Sequence, residues 1–166
     1  MSARNVLVLC TGNSARSILG EALFNQLGEG RVRAFSAGSK PAGAVHPAAL
    51  RLLERKGHDR AGLRSKTWNE FVVPGAPPMD IVITVCGYAA GEACPAFPGR
   101  AVRAHWGLPD PASVTGDDAD VDAAFERSYA LLQQRVEAML ALPVESMTDD
   151  ALQSELTAIG ALEGAA

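Results

Sequence analysis

Two short and almost uninterrupted apolar runs, Asn5 to Leu9 (NVLVL) and Met79 to Val85 (MDIVITV), constrain the fold of this chain more than anything else in it. Runs without alternating polar positions suit strands covered on both faces, as in a parallel sheet lying between helices. The β-branched content of the second run makes it the clearest strand. Around them the pattern turns helical. From Ser14 onward, Leu19, Leu23 and Leu27 recur at spacing four, and Gly28 or Gly30 can end that helix. Arg31 to Ser36 reads as a second strand, followed by a loop with Gly38, Pro41 and Gly43. A helix then starts near His46, with Pro47 in its first turn and Leu50 and Leu53 on one face, and stops at Gly57. Arg100 to Ala104 reads as a fourth short strand and Trp106 to Gly116 as a loop. Asp120 to Leu142 is a long helix with a core stripe of Phe125, Tyr129, Leu132, Val136 and Met139. Thr148, with Asp149 and Asp150 behind it, opens a last helix edged by Leu152, Leu156 and Ile159. The order predicts an α/β fold, a doubly wound three-layer sandwich around a four-stranded parallel sheet with an extra C-terminal helix. Ligands of such sheets sit beyond the carboxyl ends of the strands. Cys10, Cys86 and Asp110 all fall at or after predicted strand ends, so one crevice can collect them.

With 166 residues, 48% of them hydrophobic, the chain is expected to form one compact domain with a full core. Residues 1–142 are expected to carry the core domain and 143–166 a helical extension of the same domain. A net charge of -4, without a run of Lys or Arg longer than two, argues against a nucleic-acid groove or a polybasic membrane anchor. No apolar stretch approaches the roughly 20 residues of a membrane span. The N-terminal apolar run lacks the length and cleavage site of a signal peptide. The expectation is a cytoplasmic protein with neither membrane nor nucleic acid as partner. There, an odd count of three cysteines does not suggest a disulfide framework, and each thiol is core filler, metal ligand or reactive group.

Cys10-Thr11-Gly12-Asn13-Ser14-Ala15-Arg16-Ser17 places a cysteine at a strand end and an arginine six positions later, where a helix begins. Successive amides of a short Gly-containing loop, backed by a helix N-terminus, form a concave anion site. Arg16 adds a planar fork of donors for two oxygens of a tetrahedral anion. The same field favours thiolate over thiol at Cys10, making it a nucleophile, and Ser17 can donate a further hydrogen bond to the sulfur. The bland alternative is a buried cysteine beside an ordinary turn. Asp110, between Pro109 and Pro111, is held on a stiff loop and suits a general acid, although Asp-Pro is also a common turn pair. Cys86 and Cys94 fit a metal half-site poorly, since only His105 accompanies them. On their own they read as two unrelated buried thiols, and beside the Cys10 loop as a redox pair.

CTGNSARS resembles the catalytic loop of the low-molecular-weight protein tyrosine phosphatase superfamily, in particular its arsenate reductase branch. The likeness runs through VLVLCTGNSARSILGEAL, FSAGSKPAG, ITVCGYAAGEACPAFPG and HWGLPDPA, over about 140 residues. It implies arsenate reduction for arsenic detoxification, with no bound cofactor. Cys10 would be the nucleophile, Arg16 the anion clamp together with the amides of Thr11 to Ser17, and Asp110 the acid. Cys86 would be the resolving thiol, and Cys94 would carry the disulfide to thioredoxin or to glutathione/glutaredoxin. Phosphate and sulfate would compete as anions. The alternative is phosphomonoester hydrolysis through a Cys10 phosphocysteine. Phosphatases of this fold carry tyrosines after the Asp-Pro and a second loop cysteine, where this chain has Ala112, Ser113, Val114 and Ala15. The spacing of Cys86 and Cys94 is one residue longer than in the thioredoxin-coupled group. The GEAC and HWG context resembles a type that includes glutathione/glutaredoxin users.

Some relatives hold potassium through side chains matching Asn13, Glu21 and Ser36. Here the further carboxylate is replaced near Ser65 and Lys66, so Lys66 is expected to supply the charge and no metal is expected. Because a disulfide needs Cα atoms about 4.4 to 6.8 Å apart, the GYAAGEA segment between the two cysteines is expected to be mobile. His46 is expected to cap its helix, His58 to lie on a surface loop, and His105 to sit near the site. Trp68 and Trp106 are expected in rim or core packing. Glu92 is expected to solubilise its loop.

Overall fold

The computed structural model describes residues 3–85 and 101–162. Four strands, β1 (Arg4–Cys10), β2 (Val32–Gly38), β3 (Ile81–Thr84) and β4 (Val102–His105), form one parallel sheet in the order β2-β1-β3-β4. Four helices accompany them among the described residues: α1 (Arg16–Leu27), α2 (Pro47–Arg55), α3 (Asp118–Leu140) and α4 (Asp149–Gly160). Two 3-10 turns, Trp68–Phe71 and Pro111–Ser113, complete the regular structure of the described residues. The predicted parallel sheet is present, each element shifted by a few residues at its ends. β1 neighbours β2 on one side and β3 on the other, so the chain reverses its direction of travel at β1, and a crevice opens there beyond the strand ends.

The apolar runs are buried because both faces of the sheet are covered. Val6, Leu7, Val8 and Leu9 are each at most 1% exposed. Their period of two divides the work. Val8 lies under Gly20 of α1, and Ser36 meets Glu21 of the same helix. The alternate position Phe35 turns the other way to meet Phe71. All five residues of the predicted stripe on α3 are buried.

Helix limits follow local chemistry. His46 caps α2 as expected, its Nδ1 accepting from the amide of Ala48 at 3.0 Å. The start of α3 lies two residues before the predicted Asp120, because Asp117 and Asp120 exchange side-chain and backbone hydrogen bonds in a capping box. It ends two residues before the predicted Leu142. Pro143 disfavours helical backbone just before itself, and Arg31 takes the terminal carbonyls of Leu140 and Leu142 while pairing with Glu145.

The C-terminal helix α4 covers the exposed edge of the sheet. The Gln153 amide pairs in both directions with the backbone of Arg103 in β4, which occupies groups that would otherwise template another strand. Trp106, fully buried, stacks on Phe24 and donates from Nε1 to the carbonyl of Leu156 at 2.9 Å. Gly160 permits this approach, since a Cβ there would lie 2.3 Å from the carbonyl oxygen of His105. No helix among the described residues is long and apolar enough to cross a membrane.

His58 is a correction to the sequence reading. It is buried at 8% exposure rather than on a surface loop, with Nε2 2.7 Å from the Tyr129 hydroxyl. Gly57, at φ +76°, turns the chain back after α2 and drives the ring against α3. Burial lowers the imidazole pKa, opposed by a hydrogen bond to the backbone of Ala22.

Candidate active site

The residues from Cys10 to Arg16 wrap around a cleft of about 150 Å³, with Asp110 and Ala112 on its far wall. Cys10, the last residue of β1, is 7% exposed at the cleft floor. Asn13 takes the left-handed conformation at φ +45°, which Asn tolerates better than most side chains and which lets the loop close so tightly.

The loop faces inward because its carbonyls are held outward. Those of Thr11, Gly12 and Ser14 accept from the amides of Lys40, Ala42 and His46 at 2.8–3.0 Å. Ser65 Oγ also donates to the Gly12 carbonyl and accepts from the amide of Gly43. None of the hydrogen bonds among the described residues uses the amides of Gly12, Asn13, Ser14 or Ala15 as donors. These amides and the start of α1 therefore make the cradle for an anion. Gly38 lets the neighbouring strand end come this close. A Cβ at that position would stand 2.3 Å from the carbonyl oxygen of Thr11 and 2.9 Å from that of Cys10.

Beneath the loop lies a buried polar chain. Asn13 Nδ2 donates to Ser17 Oγ at 2.8 Å and to Ser36 Oγ at 2.9 Å, and Asn13 Oδ1 accepts from the amide of Lys66. Ser36 Oγ donates to Glu21 Oε1 at 2.6 Å, and the Lys66 ammonium stands 3.7 Å from the same oxygen. Burial raises the Glu21 pKa against the pull of Ser36 and Lys66, and burial lowers that of Lys66 against the pull of Glu21. Asn13, Glu21 and Ser36 thus come together, and the cation beside them is a lysine side chain. No group of three or more His, Cys, Asp or Glu among the described residues is arranged to hold a metal ion.

Arg16 closes the cleft. Its Nη1 donates to the Leu108 carbonyl at 2.7 Å, and Nη2 stands 3.7 Å from Asp110 Oδ2. Its Nε is buried and has no hydrogen-bond partner among the described residues. Asp110 serves its turn as well, with Oδ1 accepting from the amide of Ala112 at 3.0 Å. The structure thus brings Cys10, the loop, Arg16 and Asp110 together. Ser17 lies behind the loop in the polar chain. Cys86, Cys94, Glu92 and the GYAAGEA segment lie outside the described residues. His105 is exposed at the end of β4, bonded through Nδ1 to Thr84 Oγ1, and does not line the cleft. The sequence reading missed the carbonyl of Leu108 as the partner of Arg16, which no residue type signals.

The sequence profile of the low molecular weight phosphotyrosine protein phosphatases matches residues 5–155. The chain belongs to that family. Within the family it is 34% identical to an arsenate reductase of Halalkalibacterium halodurans over 136 residues, 82% of this chain and 94% of the relative. A solved arsenate reductase in its phosphate-binding state is 28% identical, with a TM-score of 0.65 over 83% of this chain and 97% of the other. A thioredoxin-dependent arsenate reductase of Corynebacterium glutamicum is 26% identical, with a TM-score of 0.58, over 80% of this chain and 59% of the other.

Proposed function

We propose that this chain is an enzyme that reduces arsenate to arsenite with thiols as the electron source, as a step in arsenic detoxification. One observation carries the reading: a thiol, a ring of amides, a guanidinium and a carboxyl close around a space suited to a tetrahedral oxyanion. The arsenate reductases among its relatives support the choice of oxyanion.

In this scheme the amides of Thr11 to Ser17 and the Arg16 fork bind arsenate oxygens, with phosphate and sulfate as competitors. The Cys10 thiolate attacks arsenic while Asp110 passes a proton to the departing hydroxide, so that water leaves as the S–As bond forms. Ser17, which accepts from Asn13, keeps its hydroxyl hydrogen for the Cys10 sulfur. Cys86 then attacks the Cys10 sulfur. The S–S bond forms, the S–As bond breaks, and its electron pair passes to arsenic, which leaves as arsenite. Two thiols become one disulfide for the two electrons gained. Cys94 next attacks Cys86, releasing Cys10, and an external thiol reductant, thioredoxin or glutathione with glutaredoxin, restores the pair. A reducing cytoplasm fits this cycle. The described part of the C-terminal extension, residues 143–162, packs its α4 against β4 and is assigned in this reading to the same folded unit as the core domain.

The second reading is phosphomonoester hydrolysis through a Cys10 phosphocysteine. Ala112 disfavours it, because the cleft lining among the described residues contains no aromatic side chain to hold an aryl ester. The test incubates the protein with arsenate and either thioredoxin or glutathione/glutaredoxin, and follows arsenite for the wild type and the Cys10, Cys86 and Cys94 to Ser variants. Arsenite release that needs Cys10 and Cys86 supports the reading. No arsenite with either donor, together with brisk aryl phosphate hydrolysis, overturns it. Activity of Cys94→Ser with glutathione alone identifies the donor.

A further inference from the structure

Arg135 is an arginine in a core position. It lies on α3 in helical register with Ser128, Leu132 and Met139, and only 1% of it is exposed. A buried guanidinium cannot shed its charge and is costly without a counter-ion, yet Arg135 forms no salt bridge among the described residues. Its Nη1 donates to the Gly107 carbonyl at 3.3 Å, while Nε and Nη2 have no hydrogen-bond partner among those residues. A methionine of similar length would fill this place more cheaply, so packing alone does not account for it.

The acceptor identifies the purpose. Gly107 is followed by Leu108, whose carbonyl is held by Arg16. Two guanidiniums therefore grip consecutive carbonyls, one from the anion cradle and one from the core behind it. The backbone on either side is pinned as well, with the Trp106 amide donating to Thr84 O at 2.7 Å and the Leu108 amide to Val85 O at 3.2 Å. Residues 106–108 are buried, and the chain becomes exposed at Pro109 and Asp110. Pro109 and Pro111 stiffen the exposed part, so a shift at Gly107 travels to the Asp110 carboxyl instead of being absorbed. We propose that Arg135 is a positioning residue for Asp110, aiming the acid by fixing the backbone from which it projects. This rests on the acid role of Asp110 in the function proposed above.

The test is a double-mutant cycle on single-turnover arsenite release, combining Arg135→Met with Asp110→Asn. A misplaced acid loses about 10-fold or more in rate. Arg135→Met is expected to slow the wild type by that factor, to change Asp110→Asn less than about twofold, and to leave the thermal midpoint equal or higher. In the Cys10→Ser background it is expected to leave inorganic phosphate affinity unchanged. Arg135→Lys, which keeps a donor for the Gly107 carbonyl, is expected to recover most of the rate. Equal slowing in both Asp110 backgrounds, or lost phosphate affinity, overturns the inference and leaves the proposed function standing. Asp110→Asn at the wild-type rate removes the acid role and this inference with it. If Arg135→Met does not fold, Arg135→Gln replaces it in the same cycle, with the same outcomes deciding.

Discussion

The two arms of the cleft are built on opposite principles. The Cys10–Arg16 arm rests on a buried chain of Asn13, Ser17, Ser36, Glu21 and Lys66, and its carbonyls are tied to residues 40–46. The Asp110 arm leaves the core after Leu108, and its aspartate side chain is 43% exposed against 12% for Arg16. A cradle for an oxyanion must hold several donors in place before the anion arrives, because reorganising them during reaction costs rate. The acid proposed at Asp110 has one atom to reach and a proton to recover from water, so exposure suits it. Under the proposed function, stability and chemistry are concentrated in the first arm, while the second contributes chemistry alone.

Substitutions can break that division, and the largest effect belongs to the cradle. Cys10→Ser is expected to lower arsenite release by about 10⁴-fold or more, while phosphate binding, read by calorimetry, survives. Arg16→Lys keeps the charge but loses the fork and the Leu108 contact. It is expected to cost about 10²- to 10³-fold in kcat/KM, comparable with removing an oxyanion donor. Asn13→Ala strips the network of its hub and should lower unfolding free energy by about 2 kcal/mol in urea titrations. Pro109→Ala in the other arm should change stability by less than about 0.5 kcal/mol and still slow turnover. Equal stability losses in Asn13→Ala and Pro109→Ala would dissolve the comparison.

The smallest effect lies far from the cleft and sharpens the contrast through pH. Burial depresses the His58 pKa, so the unfolded chain binds a proton that the folded chain resists. His58 therefore supports full stability above about pH 6.5, and that support is lost as pH falls toward its folded value. Stability is expected to fall between pH 7.5 and pH 5.5 on this account, read by urea titration at each pH. His58→Gln should flatten that part of the profile and leave arsenate affinity unmoved.

Much of the site was legible because its chemistry is local. Cys10, Gly12, Asn13 and Arg16 lie within seven residues, and the buried strand before them and the helix after them announce themselves by hydrophobic period. Asp110 was legible as a residue stiffened by two prolines. The helix ends were less so, since the Asp117 capping box and the grip of Arg31 on the end of α3 depend on partners that hydrophobic period does not reveal. His58 misled because a polar residue after a helix-ending glycine resembles a surface turn, and only the packing of Tyr129 against it decides otherwise.

The sequence by itself determined the alternation of strand and helix, the parallel sheet and the anion loop, because apolar period and short-range turn chemistry are properties of neighbours along the chain. Tertiary structure alone decided that the carbonyls of Leu108 and Gly107 would meet Arg16 and Arg135, across 92 and 28 positions of sequence. Backbone acceptors are the same at every residue, so no side-chain pattern can announce which one a distant guanidinium will hold.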